Sequence, residues 1–203
     1  MTRNVPWYVM TLAAFLIGAY ALTVALSPPG ESGVVAAMFE TSPAGALAHF
    51  LGGAVVIIAG ALQFNSGIRS RYATLHRWLG RLYVTGILIG GSAGFYMALH
   101  SSGGIVAHYG FALLAVCWLG TTAVAYLQIR RGNVQVHRAW MIRSYSLTLA
   151  AVTLRIYIPL FLIAGFPFEE AYPVIAWLCW VPNILVAEWL FIARPRFAPH
   201  PAG

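Results

Sequence analysis

Residues 44–64 read AGALAHFLGGAVVIIAGALQF, a run without one charged side chain and with a single histidine, His49, near its start. A helix needs ~20 apolar residues to cross the hydrocarbon of a bilayer, and this run has that length. Lipid offers no partner to an open backbone, so a run of this kind is dictated to be a helix. Ser42-Pro43 ahead of it is a helix-opening signal.

Working outward, five more apolar stretches appear: residues 5–26, 78–99, 104–127, 141–164 and 172–193. The sequence therefore predicts an all-α polytopic membrane protein with six transmembrane helices, forming a single integral membrane domain over residues 1–203. The composition agrees. Of 203 residues 60% are hydrophobic and 8% charged, with a mean hydropathy of +0.77. An average soluble domain is about 25% charged. A soluble globule, a disordered chain and a nucleic-acid binder are excluded. Arg3 precedes the first apolar run in the manner of a secretory signal, but the run is too long for one and five more spans follow, so it reads as a helix. Pro28, Pro29 and Gly30 close it. Cys117 and Cys179 lie inside apolar runs and read as small core residues.

Charge gives the orientation. The twelve basic residues are all arginine. Arg69, Arg71, Arg77 and Arg81 gather at the entry to the third span, and Arg130, Arg131, Arg138 and Arg143 at the entry to the fifth. Arg3, Arg194 and Arg196 lie on the same side, opposite Glu31, Glu40, Glu169 and Glu170. The positive-inside rule then places both termini in the cytoplasm, with the chain in a cell membrane, expected to be a bacterial inner membrane. The net charge of +7 follows from this bias rather than from acidic partners.

The histidines fall into layers. His49 on the second span and His108 on the fourth lie toward the outer face; His76 and His137 stand at the inner entries of the third and fifth. A repeat relates them. Ala48-His49-Phe50 is echoed by Ala107-His108-Tyr109, and Leu62-Gln63-Phe64 by Leu127-Gln128-Ile129. His76-Arg77 followed by W-x-x-R-x-Y is echoed at His137-Arg138 one residue further on. Two same-sense hairpins with few broken helices imply an axis along the membrane normal, setting His49 opposite His108 and His76 opposite His137. They form a predicted four-helix core, residues 44–164, flanked by residues 5–26 and 172–193.

Two imidazoles facing each other across a bundle suit the axial positions of a b-type haem. Gly52, Gly53, Gly80, Gly104 and Gly110 near the histidines leave room for a macrocycle. Arg77, Arg81, Arg138 and Arg143 are cationic partners for inner propionates, and Arg155 for an outer site. Each layer offers two histidines without a nearby thiolate or carboxylate, which argues against a closed zinc site.

In this arrangement the chain resembles the cytochrome b-561 family of dihaem transmembrane cytochromes over residues 44–164, with a short H-x-x-x-G match at His76 to Gly80. The H-R-W-x-G-R and H-R-x-W-M-I-R segments resemble, more closely, a bacterial family of membrane proteins of unknown function. The cytochrome resemblance implies haem b on His49/His108 and on His76/His137, the outer site being the better supported. It also implies electron flow from a cytoplasmic reductant such as ascorbate to an outer acceptor. Arg69 and Arg71 would take the place of that family's ascorbate-binding lysines by charge alone, and a membrane quinol is an equal donor. His100 sits where that family can carry a histidine near its outer substrate pocket. The expected partners are the lipid bilayer, a small-molecule reductant or quinol, and a second copy or a redox protein.

Arg143, Arg155 and Glu188 are intramembrane charges, functional candidates by default. They support an alternative: a cofactor-free solute or proton transporter, or an assembly protein. By depth Arg143 is the partner for Glu188, while Pro182-Asn183 predicts a kink whose freed backbone Asn183 satisfies. His200 lies in the tail.

Overall fold

The structure, a computed structural model, describes residues 5–27 and 33–193. Arg3, the Pro28-Pro29-Gly30 break, Glu31, Arg194, Arg196 and His200 lie outside the described residues. Among the described residues every regular element is helical: α1 Val5–Leu26, α2 Val34–Thr41, α3 Pro43–Gln63, α4 Ser66–Arg71, α5 Ala73–Ala98, α6 Gly104–Arg130, α7 Val134–Thr148, α8 Ala150–Ile163, α9 Phe168–Leu178 and α10 Val181–Ala187, ending in a π-helical turn Glu188–Ile192.

Local chemistry sets the boundaries. Pro43 opens α3, and the Ser42 hydroxyl accepts the Gly45 amide at 3.1 Å, satisfying one of the four amides a helix start leaves open. Asn65 caps α4 by accepting from Gly67 and Ile68. Gly132 turns α6 into α7 at φ 79°, a left-handed conformation that suits glycine.

Five stretches are long and apolar enough to cross a membrane: Val5–Leu26, Pro43–Gln63, Gly104–Arg130, Val134–Ile163 and Phe168–Ile192. The helix of the expected third span, α5, is 26 residues long, about 39 Å at 1.5 Å per residue. It packs between α3 and α6. Its glycines and arginines dilute its hydropathy. Those glycines serve contact. A Cβ on Gly52 of α3 would stand 2.9 Å from the Gly86 carbonyl and the Gly90 backbone, so the two helices meet backbone to backbone.

Around the core α3 packs on α5, α5 on α6, α6 on α7, and α7 touches α3 again. The helices bearing His49 and His108 are therefore diagonal, as are those bearing His76 and His137, as the repeat predicts. Helix α1 covers α3, and α9 covers α6 and α8. The centre holds Tyr83, Tyr145, Ile57, Ile87, Leu147 and Trp118. Tyr83 is fully buried, its hydroxyl 2.8 Å from Ser144 Oγ and 3.0 Å from Thr148 Oγ1. Thr122 joins Ser144 at 2.7 Å, and the Trp118 indole N–H donates to Thr148. Cys179 is buried and Cys117 half-buried, both as thiols.

One expectation about continuity changes: the fifth span is two helices, α7 and α8, meeting at Leu149. The sixth breaks at Trp180 ahead of Pro182, where the sequence predicts a kink. Proline lacks the amide a helix interior needs. The Asn183 side-chain amide donates to the carbonyls of Cys179 and Ser146, and Thr153 Oγ1 also donates to Cys179. The short helices α2 and α4 fall between the expected spans, α2 packing on α3 and α4 on α3 and α5.

Candidate functional site

At the arginine-rich end, α3 delivers Gln63, α5 delivers His76, and α7 delivers His137. The buried Gln63 amide donates to the His76 carbonyl at 2.8 Å and so ties the end of α3 to the start of α5. His137 Nδ1 lies 2.8 Å from the Ala125 carbonyl of α6. A carbonyl only accepts, so Nδ1 carries the hydrogen and the neutral ring keeps its lone pair on Nε2. His76 is the converse case. Its Nδ1 is buried without a hydrogen-bond partner among the described residues. Ahead of the span that begins at Trp78, burial first, then the charges of Arg69 and His137, push its imidazole pKa below the ordinary value of 6.5. The two histidines thus lie within electrostatic reach of each other.

The arginines expected beside them divide. Arg143 is committed: Nε and Nη2 grip the two Glu188 oxygens at 2.9 and 2.8 Å, and its guanidinium lies over Trp140. This bidentate pair ties α7 to the π-helical turn, so Arg143 is not free for a propionate. Arg81 lies over the Trp78 ring and Arg77 donates to Thr74 Oγ1. Arg69, Arg71, Arg77, Arg81 and Arg138 are all exposed.

At the opposite end the two histidines of the outer pair bond to different carbonyls. His49 Nδ1 donates to the Gly90 carbonyl of α5 at 3.0 Å, and a Cβ on Gly94 would meet this ring at 2.9 Å. His108 instead gives Nε2 to the Ser101 carbonyl at 2.8 Å, in the loop ahead of its own helix. That is the nitrogen an iron would take if Nδ1 were tied as in His49.

His49 lines a cavity of about 290 Å³ that His108 does not line. The walls come from α1, α3, α5, α6 and α8, with residues of α7 and α9, and the rim from α2 and the α5–α6 loop. Arg155 of α8 reaches the same cavity, its guanidinium 4.6 Å from the centre of the Tyr20 ring and one nitrogen bonded to its own Ala151 carbonyl at 2.8 Å. Among the described residues Arg155 makes no ion pair. His100 stands exposed at the rim, bonded to the Tyr96 carbonyl.

Among the described residues no group of three or more histidines, cysteines and carboxylates is placed to hold a metal ion. Sequence reasoning missed Tyr20, Ser101, Trp118 and Thr148 as cavity residues and Gln63 as the inner tie. Only Gln63 had a signal, the L-Q echo at the ends of two helices.

Residues 46–191 match the family described as predicted membrane protein, DUF2306. The chain belongs to this family. The match takes in α5 to α10, the four layered histidines and Arg155, and leaves α1, α2 and the Tyr20 wall of the cavity outside it. No curated protein and no solved structure matches the chain. What this DUF2306 member does must be argued from its own residues.

Proposed function

We propose that the protein carries electrons in the membrane on b-type haem, which His76 and His137 would hold. The observation that carries this reading is the buried His76 Nδ1, without a hydrogen-bond partner among the described residues and within electrostatic reach of a second imidazole whose own Nδ1 is tied to Ala125. Metal-ligating histidines characteristically donate the other ring nitrogen to a carbonyl, which fixes tautomer and ring. The donor set fits: two imidazoles on diagonal helices, with exposed Arg69, Arg77, Arg81 and Arg138 as cationic partners for propionates. Haem held there would supply reversible one-electron chemistry, its potential set by its ligands and surroundings. The chain's part is to hold His137 in one tautomer through Ala125 and to anchor the His76 backbone through Gln63. A second haem on His49 and His108 requires His108 to leave the Ser101 carbonyl, so the inner layer takes precedence over the outer one in this reading.

With the arginine-rich end in the cytoplasm of a bacterial inner membrane, a cytoplasmic reductant or a quinol is the donor and the acceptor lies outside, a second copy or redox protein completing the path. The test is a pyridine haemochrome count with oxidised and dithionite-reduced spectra of the detergent-purified protein. One bis-histidine haem per chain is expected, lost in His76→Ala and His137→Ala and retained in His108→Ala. Two haems per chain, one of them lost in His108→Ala, would restore the outer pair. Protein that stays colourless from cells supplied with haem sinks the electron-carrier reading. In its place would stand the second reading, solute binding without a cofactor, which the Arg155 cavity favours.

A further inference from the structure

We propose that the cavity between α1, α3, α5, α6 and α8 binds a small amphiphilic carboxylic acid, its carboxylate held by Arg155. The inference is independent of haem at the inner pair and rests on four features of the cavity.

The first is charge. Arg155 stands within a span, and a cation in the membrane is rare unless paired or functional. Glu188, a carboxylate in the last span, is already gripped by Arg143. A guanidinium has five N–H donors. Among the described residues Arg155 bonds the Ala151 carbonyl and contacts Tyr20, which leaves donors for a bidentate carboxylate. Among the described residues none that lines the cavity is acidic.

The second is size and wall chemistry. At about 290 Å³ the space is at the lower end of small-molecule sites, which run from roughly 300 to 1,000 Å³. Phe50, Phe111, Leu114, Trp118 and Leu154 make the walls apolar. A ligand whose body is a single ring or a short chain fits this space.

The third is an unsatisfied polar group. Ser101 is among the residues that line the cavity, and its Oγ is buried without a hydrogen-bond partner among the described residues. Buried hydroxyls are ordinarily paired, and the second carboxylate oxygen is the partner this one lacks.

The fourth is access. The rim is α2 with the α5–α6 loop, at the end of the bundle away from the arginine cluster. An acid enters there from the membrane surface without crossing the core.

The experiment uses the full chain in phosphatidylcholine nanodiscs, purified with and without haem supplied, titrated calorimetrically with benzoate and with benzamide, its neutral isostere. Empty nanodiscs serve as the blank. Benzoate is expected to bind and benzamide to bind at least tenfold more weakly. Arg155→Gln should lose at least tenfold for benzoate and leave benzamide unchanged, and Arg155→Lys should keep part of the benzoate affinity. Equal binding of the two probes to the unaltered protein overturns the proposal, and needs no variant to fold. So does benzoate binding that appears only in Glu31→Gln, which would give Arg155 an internal carboxylate partner. Benzoate binding abolished by added haemin would hand the cavity to a porphyrin propionate and equally overturn it. Absence of haem from the purified protein counts against the electron-carrier reading alone.

Discussion

The two hairpins α3–α5 and α6–α7 carry echoing sequence and are built by different means. The first is a glycine seam. Gly52, Gly86 and Gly90 bring the α3 and α5 backbones together, and His49 is wedged against Gly90 and Gly94. The second has no such seam: a Cβ on Gly120 of α6 would meet nothing within 4 Å, and α6 and α7 are joined by hydroxyls and an indole instead. Close backbone approach leaves His49 a carbonyl across the interface, whereas His108 finds its carbonyl in its own loop. The repeat therefore preserves helix placement and loses side-chain equivalence in the outer layer. A duplicated histidine is a duplicated position, and its partner depends on how near the next backbone comes.

The sharpest way to break this contrast is at the glycines. Gly52→Leu forces side-chain atoms into the α5 backbone and should prevent recovery of folded protein. Gly52→Ala, whose one added carbon already meets three backbone atoms at 2.9 Å, should cost about 1–3 kcal/mol, the usual penalty of overpacking. Gly120→Ala should do the opposite. It enters open space on a helix and gains up to about 1 kcal/mol of helix propensity. Thermal unfolding in detergent compares the pair, and equal effects at the two glycines would contradict the seam.

A smaller contrast lies in the tyrosines of the shared W-x-x-R-x-Y pattern. Their rings lie 6.5 Å apart at the centre of the molecule. The Tyr83 hydroxyl joins Ser144 and Thr148, both on the opposite hairpin, while Tyr145 gives one bond to the Ile57 carbonyl of α3. Hydrogen bonds between membrane helices average about 0.6 kcal/mol and reach about 1.7. Tyr83→Phe, which removes two hydrogen bonds, should therefore cost about 1–2 kcal/mol and Tyr145→Phe about half as much. The same unfolding measurement decides it, and the reverse order would move the centre of the network to Tyr145.

The sequence carried most of the helix placement, because lipid permits so few backbone solutions. Apolar length and arginine clustering located the spans, and the repeat located the diagonals. The Arg143–Glu188 pair was legible from depth along two helices. The site was less legible. Arg155 and His49 stand out as polar residues in apolar runs, but that α1 brings Tyr20 to Arg155 depends on how a helix outside the repeat is laid against it. The partner of His108 depends on a loop. The break at Leu149 has no proline or glycine of its own to announce it, and α2 and α4 are too short for hydrophobic periodicity to register.

The smallest expected effect separates the two inner histidines. His137 has its Nδ1 satisfied by Ala125, whereas His76 is buried with Nδ1 unpaired and its pKa held below 6.5 by burial, by Arg69 and by His137. A histidine whose folded pKa is depressed takes up its proton first in the unfolded chain. Stability is therefore full above the ordinary value and is lost as pH falls from 6.5 toward the folded pKa. In haem-free protein, unfolding between pH 7.5 and 5 should show this acid loss, and His76→Gln should flatten it because glutamine does not titrate. His137→Gln should preserve an acid loss at His76 but shrink it, since it removes one of the charges that depress that pKa. If His76→Gln leaves the pH profile unchanged, the buried Nδ1 is not the unsatisfied group on which the inner-pair reading depends.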